Sequence, residues 1–261
     1  MPSSLKREPG ATLPSNGTGG YHRWMSTRTL AASAILLLLL SGCSSYPPMA
    51  VPDPASIGVT THAVRQAIVL EPRDVPVSGP GFLFFPGARV RPEAYIDHLA
   101  LVAREGFRVV IVRLPFDLAI LAPRRGEHVL RELGEAGART WVVGGHSLGG
   151  VVAAGAARRG DPRIVGLVLF ASYPADSGSL ADRNIPVLSL YASGDGLATP
   201  DEIRDRARLL PADTRYVLIE GGNHAGFGSY GPQRGDGVAR ISPRVQHGTS
   251  AAEIVRFLRE R

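Results

Sequence analysis

A serine lies between closely spaced glycines near the middle of the chain, in Gly145-His146-Ser147-Leu148-Gly149. This spacing matches G-x-S-x-G, in which a serine occupies a tight turn between a strand and a helix. The glycines relieve the crowding that would otherwise keep the hydroxyl from projecting out of the turn. A phosphate-binding dinucleotide loop is the competing interpretation, but GGHSLGG lacks the G-x-G-x-x-G spacing. Ser147 is therefore the candidate nucleophile.

A serine hydroxyl is a weak nucleophile at neutral pH, so it needs a base, and the base needs a carboxylate to orient it. Of seven histidines, His224 follows the last predicted strand in the glycine-rich loop EGGNHAGFG and is the candidate base. Asp195 follows the preceding predicted strand in SGDGLATP and is the candidate acid, with Asp176 in SYPADS as its rival. The predicted order along the chain is serine, acid, histidine.

Short apolar runs alternate with stretches of helical periodicity downstream of residue 62. Strands are predicted at residues 66–71, 82–85, 107–113, 140–144, 164–172, 186–192 and 214–220. Helices are predicted near residues 93–104, 126–133, 148–159, 201–209 and 251–259. Several runs are apolar without alternation, which is typical of strands covered on both faces. The pattern predicts an α/β fold with a mainly parallel sheet, helices on both faces, and ligands at the carboxyl ends of the strands.

The chain over about residues 66–260 resembles the α/β-hydrolase superfamily. It is more narrowly similar to the alpha/beta hydrolase family labelled fold-5, on the motifs FFPGARVRPEAY, PFDLAIL, GGHSLGGV, LYASGDGLATP and GGNHAGFGSYGPQ. The resemblance implies the α/β-hydrolase fold and a catalytic set of Ser147, Asp195 and His224. Only about a dozen residues lie between the predicted strands at 164–172 and 186–192, so we expect no sizeable cap domain and an open site.

The resemblance also implies an oxyanion hole, in which two backbone N–H groups bind the oxygen that becomes charged during attack. One donor is expected at Leu148, directly after the nucleophile. The other is expected at Ala88, with Gly87 as the alternative, because Pro86-Gly87-Ala88 aligns with the superfamily's His-Gly-X pattern. Proline has no N–H, so Pro86 itself is excluded as a donor.

An apolar run at residues 31–40 follows Arg23 and Arg28, which is typical of a secretory signal and too short to span a bilayer as a helix. It leads into Leu40-Ser41-Gly42-Cys43, which resembles the lipobox of bacterial lipoproteins. The resemblance implies that Cys43 is the acylated first residue of an exported protein. Such a protein is anchored to the cell envelope membrane, the outer membrane if the source is Gram-negative.

Three segments are predicted: an N-terminal extension with a signal peptide at 1–42, a proline- and serine-rich tether at 43–61, and a folded domain at 62–261. The prolines of the tether disfavour a helix or a central strand.

Composition excludes several other classes of protein. One cysteine cannot form a disulfide within the chain, and the only lysine, Lys6, precedes the folded domain, which excludes Schiff-base chemistry and a Walker P-loop there. The net charge of +6 falls to +3 from Cys43 onward, with arginines scattered among acids, so no nucleic-acid partner is expected.

The sequence therefore predicts a serine hydrolase, most simply a carboxylesterase for small or medium acyl esters, with no metal or organic cofactor. An envelope lipase or acyltransferase is one alternative, and a non-catalytic binding protein of the envelope is another. Four aromatic residues follow strand ends and are candidates either for lining a substrate pocket or for packing loops: Phe116, Tyr173, Phe227 and Tyr230.

Overall fold

The computed structural model describes residues 45–49, 53–134 and 138–261. Cys43 and the predicted signal segment 1–42 lie outside these residues, as does part of the predicted tether. Among the described residues, no helix is long and apolar enough to cross a membrane.

The described residues form an eight-stranded sheet. Its strands are β1 (Val59–Val64), β2 (Ala67–Pro72), β3 (Gly81–Phe85), β4 (Val109–Val112), β5 (Trp141–His146), β6 (Ile164–Phe170), β7 (Val187–Ala192) and β8 (Arg215–Ile219). They lie in the order β1-β2-β4-β3-β5-β6-β7-β8. β2 pairs antiparallel with β1 and β4, and the remaining neighbours pair in parallel. The predicted mainly parallel sheet is confirmed.

Helices cover both faces of this sheet. They are α1 (Ile96–Ala103), α2 (Arg125–Leu133), α3 (Leu148–Arg158), α4 (Pro200–Arg206) and α5 (Pro243–Arg259). Alternate residues of β3 show the two faces: Phe82 and Phe84 pack in one core with residues of α1 and α5, whereas Leu83 and Phe85 pack in another with residues of α2 and α3. Burial on both sides explains why the central strands are apolar without alternation.

The structure differs from the sequence expectation at the start of the domain. β1 begins at Val59, inside the predicted tether, and a 3-10 turn at Pro54–Ile57 precedes it. Four of the six residues of β1 are exposed, because the strand lies at the edge of the sheet and pairs only with β2. An exposed edge strand needs no apolar run, so the pattern that identifies the other strands is missing here.

The C-terminal helix also starts earlier than its periodicity predicts, at Pro243 rather than near residue 251. Ser242 caps it, since its hydroxyl accepts a hydrogen bond from the backbone N–H of Val245, and Pro243 occupies the first position, where a missing N–H does no harm.

The connection between β6 and β7 contains only a 3-10 turn at Asp176–Gly178. No cap domain is inserted between these strands, all of whose connecting residues the structure describes.

Candidate active site

Ser147 lies in a strained turn between β5 and α3. Its backbone angles are φ 52° and ψ −124°, a conformation that residues with a side chain rarely adopt. Hydrogen bonds hold the turn: the Ser147 N–H donates to the Phe170 carbonyl at 2.9 Å, and its carbonyl accepts from the Gly150 N–H at 2.9 Å, the Val151 N–H at 3.3 Å and the Ser172 hydroxyl at 2.7 Å. These contacts compensate the strain and fix the serine at the carboxyl edge of the sheet.

Two glycines of the turn are required by close approach of the backbone. A Cβ on Gly145 would lie 2.5 Å from the backbone of Gly149, and a Cβ on Gly149 would collide with the carbonyl oxygens of Phe85 and Pro86. The start of α3 therefore packs directly against the end of β3. This contact brings the loop after β3 beside the serine turn.

Asp195 and His224 meet at the ends of β7 and β8. The Asp195 Oδ2 atom lies 2.8 Å from His224 Nδ1, and both side chains are buried. The other carboxylate oxygen, Oδ1, accepts hydrogen bonds from the N–H groups of Leu197 at 2.8 Å and Ala198 at 2.7 Å. The carboxylate thus faces His224 with a fixed orientation.

This contact sets the tautomer of His224. An ionised carboxylate only accepts hydrogen bonds, so Nδ1 carries the proton and Nε2 presents a lone pair. His224 Nε2 is buried and has no hydrogen-bond partner among the described residues. In this tautomer Nε2 is able to accept a proton.

A second carboxylate, which sequence analysis did not single out, holds the loop of His224. Asp236 Oδ1 accepts from the N–H groups of Gly196 at 3.1 Å, His224 at 3.2 Å and Gly237 at 2.8 Å, and Oδ2 accepts from Ala225 N–H at 2.8 Å. Because Gly196 adjoins Asp195, this one side chain ties the loop after β7 to the loop after β8.

A side chain of α5 holds the backbone of Asn223, the residue before His224. The Gln246 amide makes two hydrogen bonds to the backbone of Asn223, accepting at 3.1 Å and donating at 2.8 Å. Neither Asp236 nor Gln246 stands in a recognisable motif, so the only available signal is that Asp236 lies in the same glycine-rich segment as His224.

A tyrosine fixes the loop after β3. The Tyr95 hydroxyl accepts a hydrogen bond from the Gly87 N–H at 3.0 Å and lies 2.8 Å from His146 Nδ1. Since the Gly87 N–H is engaged, it is not available to a substrate. The Ala88 and Leu148 N–H groups donate to no other group in the described part of the chain. This arrangement favours Ala88 over Gly87 as the donor.

His146 is held as a neutral imidazole. Burial lowers its pKa well below the usual value, and the nearby His224 lowers it further. The Tyr95 hydroxyl, which accepts from the Gly87 N–H, makes its second hydrogen bond with His146 Nδ1. The rings of His146 and His224 lie 4.4 Å apart between centroids, so His224 sits against the residue that precedes Ser147.

Another buried histidine supports the segment that follows His224. The His98 Nδ1–H donates to the Phe227 carbonyl at 3.0 Å, and its ring stacks on that of His247 at 4.6 Å between centroids. Burial lowers the pKa of His98 to about 3. It is therefore uncharged at neutral pH.

The structure brings Asp195 to His224 and places both at the same edge of the sheet as Ser147, Leu148 and Ala88. It shows no hydrogen bond between the Ser147 hydroxyl and His224 among the described residues. The rival acid, Asp176, is exposed and pairs with Arg206 and Arg208 instead, which lower the pKa of its carboxyl. Cys43 lies outside the described residues.

Comparison with protein families gives one match. The model of an alpha/beta hydrolase family matches residues 81–248, which include β3 to β8 and every candidate site residue of the folded domain. The comparison with curated proteins found no match.

Proposed function

The chain belongs to the alpha/beta hydrolase family, and from that premise we propose that it is a serine hydrolase, a carboxylesterase that cleaves small or medium acyl esters through an acyl-enzyme. Ser147 is the nucleophile, His224 the general base and acid, and Asp195 the group that orients His224. The observation that carries the proposal is the buried Asp195–His224 pair, whose free Nε2 atom lies at the same sheet edge as the strained serine turn.

In the first half of the reaction, His224 Nε2 takes the proton of the Ser147 hydroxyl while Oγ attacks the carbonyl carbon of the ester. The Ala88 and Leu148 N–H groups donate to the oxygen that becomes charged. When the tetrahedral intermediate collapses, the imidazolium gives its proton to the departing alkoxide, and the alcohol leaves. Asp195 stabilises the imidazolium without taking up its proton.

In the second half, a water molecule replaces the alcohol. His224 Nε2 removes a proton from this water, which attacks the acyl carbon and forms a second tetrahedral intermediate. Collapse breaks the bond to Ser147 Oγ, which regains its proton from His224. The carboxylic acid is released, and no metal or organic cofactor takes part.

A fluorophosphonate probe tests the proposal, since it reacts only with an activated serine. We expect covalent labelling of the protein, none of Ser147→Ala, and strongly slowed labelling of Asp195→Asn. Loss of the carboxylate should lower kcat on a p-nitrophenyl ester by roughly 10⁴-fold. Asp176→Asn is the matched control, because it removes an exposed carboxylate outside the site, and it should behave like the unaltered protein.

Other outcomes of these experiments would change either the proposed function or the identity of the acid. Folded protein that remains unlabelled contradicts the proposal and favours a non-catalytic binding protein on a hydrolase scaffold. Labelling with acyl transfer to a lipid or sugar acceptor faster than hydrolysis favours an envelope lipase or acyltransferase. A loss of activity in Asp176→Asn that exceeds that in Asp195→Asn would move the acid to the loop after β6.

We propose in addition that Cys43 is acylated and anchors the exported protein to the envelope membrane. The support is the lipobox-like sequence that ends in the only cysteine of the chain. Cys43→Ser should move the protein from the detergent phase to the aqueous phase in a phase-separation experiment, and unchanged partitioning would contradict the anchor.

A further inference from the structure

The loop after β4 exposes a cluster of large apolar side chains. Phe116 is 84% exposed, Leu121 55% and Ile120 43%, and the three fall within six consecutive residues. The backbone holds Phe116 outward, since its φ of 52° lies in the left-handed region that residues with side chains rarely adopt. Exposure of several large apolar groups together is typical of a surface that binds a partner or a membrane.

This cluster lies beside the candidate active site. Phe116 follows β4 as Ser147 follows β5, so both stand at the carboxyl edge of the sheet. The backbone N–H of Arg89, in the loop of the candidate oxyanion donor Ala88, donates to the Asp117 carbonyl at 2.7 Å. Ile120 lines a cavity together with Val151 of α3, the helix that follows the serine turn.

The surroundings of the cluster are basic. The two segments that meet here, residues 87–93 and 113–125, carry a net charge of +3 from five arginines and two acids: Arg89, Arg91, Arg113, Arg124, Arg125, Glu93 and Asp117. Glu93 pairs with Arg113 at 2.7 Å and lies 3.8 Å from Arg91. Arg124 is exposed beside the apolar residues. A basic rim around an apolar centre complements the anionic headgroups and acyl chains of a bilayer.

The N-terminal segment joins the domain at this same place. Tyr46 N–H donates to the Arg89 carbonyl at 2.6 Å, Tyr46 pairs with Val90, and Ser45 and Pro47 line a cavity of about 380 Å³ with Asp117. Cys43, the residue that we propose to be acylated, precedes Tyr46 by three residues in the sequence. The proposed anchor would therefore bring this part of the domain to the membrane.

We propose that the face formed by Phe116, Ile120, Leu121 and the arginines around them docks on an anionic lipid bilayer, with the candidate active site turned towards the membrane surface. The docking does not depend on the proposed catalytic function, and it is measured without turnover. A second copy of this chain is the competing occupant.

Site-specific fluorescence tests the proposal, because the chain has one cysteine. In the full chain carrying Cys43→Ser, a new thiol from Leu121→Cys is labelled with an environment-sensitive fluorophore and mixed with vesicles of equal parts phosphatidylglycerol and phosphatidylcholine. Spin-labelled lipids should quench this fluorophore. The matched control is Ala212→Cys, an exposed position before β8 at the opposite edge of the sheet, which should not be quenched.

Both labelled proteins keep the apolar run at 31–40, which is a second route of attachment to the vesicles. Phe116→Ser distinguishes the two routes, because it alters the proposed docking face and leaves the apolar run unchanged. The substitution should lower the partition coefficient of the protein onto vesicles, measured with the fluorophore at position 121, by about tenfold. This is the order expected for removing a phenyl group from contact with lipid. Arg124→Gln should lower the same partition coefficient by about fivefold on anionic vesicles only. Near-ultraviolet circular dichroism of the buried Trp141 checks that every variant is folded.

Three results would overturn the proposal. The first is equal quenching at positions 121 and 212, or none at either. The second is quenching at 121 that Phe116→Ser leaves unchanged, which would assign attachment to the N-terminus alone. The third is a dimer in sedimentation without vesicles that Phe116→Ser converts to a monomer, which would assign the face to a second copy of this chain.

Discussion

Tyr95→Phe removes one oxygen atom and should affect both stability and turnover. The hydroxyl is fully buried and serves the Gly87 N–H and His146 Nδ1 at once. Its loss leaves two buried polar groups without a partner, each costing about 1–3 kcal/mol, so we expect a destabilisation of about 2–6 kcal/mol. The loop that carries Ala88 also loses one of its attachments, and it keeps the hydrogen bond from the Arg89 N–H to the Asp117 carbonyl.

The kinetic effect follows from the loop. Complete loss of one oxyanion donor lowers the rate by about 10²–10³-fold, so a donor that is displaced rather than removed should lower kcat by about 10–100-fold. KM should change little, because the donors act mainly on the charge that develops during attack. Steady-state kinetics on a p-nitrophenyl ester and urea unfolding measure the two effects separately.

Tyr230→Phe is the matched control. Tyr230 is also buried, but among the described residues its hydroxyl makes a hydrogen bond only with Gln233, to which it donates at 3.0 Å. We expect a destabilisation of about 1 kcal/mol and an unchanged kcat. If Tyr95→Phe loses stability but keeps the kcat of the unaltered protein, the tyrosine is purely structural and the reasoning about Ala88 is refuted.

Gly149→Ala tests the packing of the serine turn, and His98→Gln tests the pH dependence of stability. Gly149→Ala should abolish labelling of Ser147 by the fluorophosphonate probe, because the methyl group meets carbonyl oxygens of the loop after β3. In the same helix, the methyl group of Gly155→Ala would meet only the Arg159 guanidinium at 3.5 Å, an ordinary van der Waals contact. This variant should raise the unfolding free energy by about 0.5–1 kcal/mol in urea titrations, and equal effects of the two variants would contradict the clash. Stability should fall on acidification, because the pKa of His98 is lowered to about 3 and the unfolded chain takes up its proton first. The contribution of neutral His98 to the free energy of unfolding is complete above about pH 6.5 and decreases by about 1.4 kcal/mol per pH unit towards pH 3. His98→Gln should reduce this slope in urea titrations between pH 4 and 6, with about one proton fewer taken up on unfolding, and an unchanged slope would contradict it.

The serine turn and the positions of Asp195 and His224 could be predicted from the sequence, because the residues that determine each of them are close together in the chain. The serine turn needs glycines at fixed distances from Ser147, an apolar strand before it and a helix after it, and all of these lie within about twenty residues. Likewise, Asp195 and His224 each follow a strand that is readable as an apolar run. Their meeting follows from parallel strands that end at one edge of the sheet.

The groups that position these residues could not be predicted, because their partners are distant in the chain. Tyr95 lies 51 residues before its partner His146, and Gln246 lies 23 residues after Asn223. No periodicity or motif links such pairs, and only the packing of helices on the sheet creates the contact. The aromatic residues show the same limit: Phe227 and Tyr230 are buried among other rings, whereas Phe116 points into solvent.

The charge state of His146 connects these distant contacts with the chemistry of His224. In the proposed mechanism, His224 becomes an imidazolium during attack, with the His146 ring 4.4 Å away between centroids. A second cation there would oppose the transfer, because like charges at short range in a buried site disfavour ionisation. Burial keeps His146 neutral. Because the Tyr95 hydroxyl contacts both the Gly87 N–H and His146 Nδ1, one side chain links the loop of the proposed oxyanion donor with the histidine that packs against His224.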